Sequence, residues 1–320
     1  MRISDLFRIG CFGFRILFFS GFLSTLLLSS AFANSSAQEI LSKIPVQNNG
    51  RVKPFESFAA ETALYVTGKV RFEGLHPADL VWQWLAEPEK WNTHPMIPVT
   101  LKPLQEEFSR MVIRGRVSPE MVLHHRPFLD KAEAAVHARQ KKEKLSLVDQ
   151  KRLEIYERAR LFQAIGEGAI PGWVAHPEDP RLPWFSFQPF AGISPEGAPS
   201  PASLFPEEKV HRFKNATSKL LTVYREDPSS AESAGAAAEF SRSLRELLES
   251  RGIVLDEKLI GMELVYNRLR PFSWAWKFYG LSTALLVILS LPFGRRRISE
   301  KGSFVRPSAV LRMTTRFWCL

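Results

Sequence analysis

The chain has 320 residues, 45% hydrophobic and 24% charged, with a formal net charge of +10. This excludes wholesale disorder and allows a sizeable core. The charge invites a nucleic-acid reading, but residues 1–33 carry +2, the tail from Arg295 +6 and Lys277 +1, which leaves +1 on residues 34–270. Basic character confined to the ends, beside apolar stretches, is how membrane topology is encoded, so a membrane partner is expected and a nucleic-acid partner is not. Both cysteines, Cys11 and Cys319, also lie at the ends. Residues 34–270 therefore hold no disulfide, no thiolate metal site, no cysteine nucleophile and no Cys-x-x-Cys-His haem-attachment motif.

In chain order, Arg2, Arg8 and Arg15 precede an apolar run from Ile16 to Leu28, and Ala31-Phe32-Ala33 stands just before polar Asn34. This is the layout of a signal peptide over residues 1–33, with an uncleaved N-terminal anchor as the alternative. Either exports residues 34–270, which read as an all-α domain. Helices are expected over about 54–66, 76–86, 118–143 and 147–164, the first three opened by Pro54, Pro77 and Pro119 and the last marked by Leu153, Tyr156, Ala159 and Phe162 at spacings of three and four. Nine of the 22 prolines fall between Pro171 and Pro206, interleaved with Trp173, Trp184, Phe185, Phe187 and Phe190. Proline at that density breaks helix and central strand, and the aromatics need a surface to bury against. An irregular wrapping segment is expected there, with 195–206 its most mobile part. Helices follow over 207–224 and 231–251, with Gly252 as a C-cap, and Asp256 opens a last one that Pro271 kinks.

Residues 271–293 read as a transmembrane helix, with Trp274, Trp276 and Tyr279 as interfacial aromatics and Arg295-Arg296-Arg297 marking a cytoplasmic basic tail over 294–320. The expected location is the cytoplasmic membrane, with the main domain in the periplasm or an equivalent extracytoplasmic space.

Chemistry is sparse. The only histidine pair, His124-His125, is adjacent and points in divergent directions on a helix, and no metal-ligand spacing, serine elbow or phosphate loop occurs. No catalytic residue, bound cofactor or metal is expected, and the chain is not expected to be an enzyme on its own. One short segment carries more information. Extended Pro45-Val46-Gln47 leads into Asn48-Asn49-Gly50, a strong turn signal, and then Arg51-Val52-Lys53-Pro54 opens a helix. Arg51 and Lys53 beside a helix N-terminus could form an anion or carboxylate receptor, or could pin a fold-closing turn. Gln47, Arg51, Lys53 and Pro54 are the candidate partner-binding residues.

The stretch Ile44-Pro45-Val46-Gln47 to Gly50-Arg51-Val52-Lys53-Pro54-Phe55-Glu56-Ser57-Phe58-Ala59 resembles a signature of bacterial cytochrome c biogenesis proteins of the CcsA/ResC type. Asp79 to Leu85, Pro88 to Trp91, Pro95 to Val99 and Glu263 to Phe272 are similar to the same family, so the resemblance spans about residues 38–292. It implies a part in delivering haem across the membrane and attaching it to exported apocytochrome c, beside a haem-handling membrane core and its assembly partner. Haem would be handled by the wider system. The family's Trp-rich external loop ending in Trp-Asp is missing, and no haem ligand can be carried over. The chain looks like the leading region of such a protein, split from its core or truncated, acting through protein–protein contacts on the outer membrane face. An envelope scaffold or binding protein unrelated to haem is the alternative.

Overall fold

A computed structural model of the protein describes residues 36–191, 200–269 and 271–290. The expected signal peptide or anchor and the expected basic tail lie outside the described residues, as do 192–199 of the Pro-rich segment. The chain divides into two units, one ending at Leu269 and one starting at residue 270.

Helices dominate the first unit. Helix α1 (Ala37–Ser42) is capped by the Ser36 hydroxyl, which accepts from the Glu39 amide. Strands β1 (Pro45–Asn48) and β2 (Arg51–Pro54) form an antiparallel hairpin. Its turn residues Asn49 and Gly50 both have positive φ, 52° and 75°. A two-residue hairpin turn with the right-handed strand twist requires that conformation, and Asn-Gly supplies it at little strain. Helix α2 (Phe55–Thr67) starts directly after Pro54 and stops at Gly68, which is left-handed. Helix α3 (Pro77–Ala86) has Pro77 in its first turn and is capped by His76, whose Nδ1 accepts from the Ala78 amide at 3.3 Å.

Next come α4 (Pro88–Asn92), β3 (Ile97–Pro98), α5 (Lys102–Phe108) and β4 (Arg116–Val117), with β3 and β4 paired antiparallel. The single helix expected over 118–143 is two helices, α6 (Pro119–His124) and α7 (Arg126–Gln140), with His125 extended between them. Pro127 is the reason: it has no N–H for the Leu123 carbonyl, and its ring would strike that turn. Helices α8 (Leu147–Gly166), α9 (Glu207–Glu226) and α10 (Ala231–Glu249) match expectation within a few residues. Gly252 does act at the end of α10: its φ is +71°, and the next amide, Ile253, reaches back to the Leu248 carbonyl. Helix α11 (Glu257–Leu269) completes the unit.

The core centres on α3, which is apolar nearly all round, as a helix enclosed by others must be. Leu80, Val81, Trp82 and Trp84 are fully buried, and α3 touches α1, α2, α4, α8 and α9. The Pro-rich segment buries its aromatics against the domain itself. Trp173 stacks between Phe55 (5.2 Å) and Phe187 (4.5 Å), and Phe240 of α10 meets both Trp82 and Trp173 edge-on.

The second unit contains one described helix, α12 (Pro271–Ser290). Among the described residues, no helix is long and apolar enough to cross a membrane. The expected span 271–293 is thus a helix through Ser290 that falls short of that standard, and 291–293 lie outside the described residues. Its first half explains the shortfall. Trp274, Trp276, Lys277 and Tyr279 dilute the apolar character that Leu281 to Ile288 supply.

Candidate functional site

The hairpin is clamped on both sides. On one side Gln47 holds the Pro-rich segment. Its backbone exchanges two hydrogen bonds with Gly172 (2.9 and 3.0 Å), its Oε1 accepts from the Trp184 amide (2.8 Å) and its Nε2 donates to the Leu182 carbonyl (3.1 Å). Gln47 is buried, and both ends of its amide are occupied. Gly172 is required here, because a Cβ would lie 2.7 Å from the Cβ of Trp184.

On the other side the hairpin receives α11. Arg51 pairs with Glu263 at 2.9 Å, and the second oxygen of Glu263 accepts from the Ser57 hydroxyl at 2.8 Å. Ser57 in turn accepts from Asn267 Nδ2 at 2.8 Å. The relay runs Asn267, Ser57, Glu263, Arg51, and a serine suits its centre because a hydroxyl donates and accepts at once. These partners sit one turn apart on α11, at 263 and 267, so one face of that helix closes over β2 and the start of α2.

Arg51 and Lys53 do not form a shared receptor. Lys53 turns inward, with its side chain 6% exposed, and meets Glu61 of α2 at 2.6 Å, whereas the Arg51 side chain is 64% exposed. The inward turn leaves Val52 partly exposed, the reverse of what hydropathy assigns. Pro54 is buried and starts α2. Sequence reasoning missed Glu61, Glu263 and Asn267 as partners. Glu61 stands only eight residues after Lys53, but nothing local connects residue 51 to residue 263.

A second set of titratable groups lies at the start of α3. His76 Nε2 stands 4.0 Å from Glu56 Oε1, and Asp79 accepts from the Tyr224 hydroxyl at 2.6 Å. Burial lowers the His76 pKa, Glu56 and Asp79 oppose that, and Arg71 and Arg268 add to it. Burial raises Asp79 and, more strongly, Tyr224, whose proton is shared with that carboxylate.

A shallow groove runs between α4, α6 and α8. Two hollows of about 220 and 270 Å³ share Leu123, His124 and Gln163. His124 lines the groove, while the His125 ring packs against Phe108 at 5.5 Å, so the pair points apart. Among the described residues, no group of three or more His, Cys, Asp or Glu side chains could hold a metal ion.

These placements bear on what the chain is similar to. It is 23% identical over 248 residues to Protein NrfI of Wolinella succinogenes. The matched stretch takes in 75% of this chain and 25% of that protein, so the chain spans about a quarter of the length of the curated relative it matches. No family model matches the chain. Both clamps tie residues distant in sequence, and the Arg51–Glu263 pair joins the hairpin to α11.

Proposed function

We propose that the chain serves c-type cytochrome biogenesis. Its domain would stand on the outer face of the cytoplasmic membrane and act by contact with a haem-handling membrane core, its assembly partner and apocytochrome c. The similarity to Protein NrfI supports a role in c-type cytochrome biogenesis at that coarse level. One structural observation carries the reading. Residues 44–59 and 263–269, which hold family-like motifs, are fastened to each other through Arg51, Ser57, Glu263 and Asn267. Motifs about 200 residues apart that converge on one relay support a shared face.

In this reading the chain supplies shape and charge, and the haem chemistry belongs to its partners. The relay fixes how α11 leaves the hairpin, and the hairpin sets where the aromatic core begins. A partner seated on this face would sense both.

The test is genetic and biochemical. Deleting the gene from its host should abolish haem-stained c-type cytochromes while b-type cytochromes persist, and the wild-type chain should restore them. Unchanged c-type cytochromes together with a general envelope defect would sink the proposal in favour of a scaffold unrelated to haem.

A further inference from the structure

Helix α11 has two faces of opposite character. Its inner face is fastened to the hairpin and α2 through Glu263 and Asn267, with Leu264 buried between them. Its outer face carries Leu259, Met262, Val265 and Leu269, each 56–60% exposed. At 100° per residue these four fall within an arc of about 120°, opposite the inner set. Val254, just before the helix, is 86% exposed and extends the apolar character.

The charges on the helix are sorted. Asp256 caps the N-terminus by accepting from the Lys258 and Leu259 amides. Glu257 bonds to Arg245, and Glu263 to Arg51. Every acid of the segment is thus matched within the domain, while Lys258 and Arg268 are exposed cations, Lys258 on the arc at its N-terminal end and Arg268 beside it in the last turn. An apolar arc with a cation near each end fits a bilayer interface, where apolar side chains enter to about 5–10 Å and ammonium or guanidinium groups stay at the level of anionic headgroups. The next helix in the sequence, taken by itself, has the same chemistry: Trp274 and Trp276 are exposed, and the Lys277 ammonium lies 4.8 Å over the Trp274 ring.

We propose that the outer face of α11, formed by Leu259, Met262, Val265 and Leu269 with Lys258 and Arg268 near its two ends, rests on an anionic lipid surface. The domain would then be held flat against the membrane by α11, with the hairpin relay setting its orientation. This inference stands on the geometry of α11 and does not depend on the biogenesis reading.

The test uses the full chain with Cys11→Ser and Cys319→Ser, and an environment-sensitive fluorophore on Met262→Cys or, as a control on α9, on Ser218→Cys. The chain is reconstituted into phosphatidylcholine vesicles with and without phosphatidylglycerol, some carrying brominated acyl chains. The Met262 probe should shift to the blue and lose most of its emission to brominated lipid. The loss should be greater with phosphatidylglycerol and reduced by salt, and the Ser218 probe should be unaffected. An unquenched Met262 probe on vesicle-bound chain overturns the proposal, as does equal quenching of both probes. A blue shift without lipid that grows with protein concentration also overturns it, since the face would then be covered by a second copy.

Discussion

Gln47 and Trp184 are joined at 2.8 Å across 137 residues of sequence, the Gln47 side-chain carbonyl accepting the Trp184 backbone N–H. The same amide satisfies the Leu182 carbonyl, so one side chain fills two backbone positions that a sheet partner would otherwise fill. Gln47→Leu keeps the volume and orphans both groups, of which the Trp184 N–H is buried, and a buried orphan costs about 1–3 kcal/mol. Urea unfolding of this variant should show a loss of that order. A change within 0.5 kcal/mol would mean that the clamp is dispensable.

Gly172 makes the same point from the backbone. Gly172→Ala forces a methyl into Trp184, where the nearest atoms are a Cβ and a backbone carbonyl that cannot swing away. The expected loss is about 1–3 kcal/mol, as for overpacking elsewhere. At Gly50 open space surrounds the Cα, and an alanine there meets only the strain of a left-handed angle. Thermal melts of the two variants should therefore rank Gly172→Ala below Gly50→Ala.

The two cations of the hairpin should behave differently. Arg51→Ala removes an exposed pair whose worth is about 0–1 kcal/mol. Reversing the pair as Arg51→Glu with Glu263→Arg should recover the ion pair but not the Ser57 hydrogen bond, since an arginine at 263 cannot accept. At Lys53 the sensitive change is in its partner. Glu61→Ala strands a buried ammonium, whereas Lys53→Met retains the packed stem and leaves Glu61 in water. Chemical denaturation should show Glu61→Ala as the more destabilised of the two.

Acid should act through the start of α3 in two opposed ways. The pKa of His76 is lowered by burial from the ordinary 6.5, so just below pH 6.5 the unfolded chain binds more protons than the folded one, and stability falls as pH falls through that window. The pKa of Asp79 is raised by burial from the ordinary 3.8, so just above 3.8 the folded chain holds the extra proton, and stability rises as pH falls there. His76→Asn, which keeps a capping acceptor, should flatten the first slope. Asp79→Asn should flatten the second and retain an acceptor for Tyr224. Denaturant midpoints measured from pH 4 to 7.5 check both, and an unchanged slope in either variant removes that residue from the account.

In the aromatic core, the buried indole N–H of Trp173 has no hydrogen-bond partner among the described residues. Its value is therefore its ring, stacked on Phe55 and Phe187. Trp173→Phe should cost much less than Trp173→Ala, for which about 3–5 kcal/mol is expected. Equal losses would assign the polar edge a role that the packing does not give it.

Local signals in the sequence located most helices. Proline starts, Ser and Asp caps and the Asn49-Gly50 turn each act within four residues, and the structure uses them where they stand. The break at His125 was equally local, but an unbroken apolar and charged pattern outweighed the single proline at 127. The clamps were not legible, because hydrogen-bonding capacity at Gln47 says nothing about which carbonyl, 135 residues away, will use it. Lys53 is the sharpest case. Its charge argues for solvent and its neighbour Val52 for the core, and only the carboxylate of Glu61 two turns into α2 reverses them.

The hairpin also dictates an order of events during synthesis. Residues 45–54 leave the ribosome early, yet the groups that occupy Gln47 come at 172–184 and those that occupy Arg51 and Ser57 at 263–267. Closing such long loops is slow compared with helix formation. Until those segments arrive, Phe55, Trp82 and their neighbours stay uncovered. The nascent chain therefore carries this apolar surface without its later partners for about half of its elongation, the kind of exposure that favours aggregation over folding.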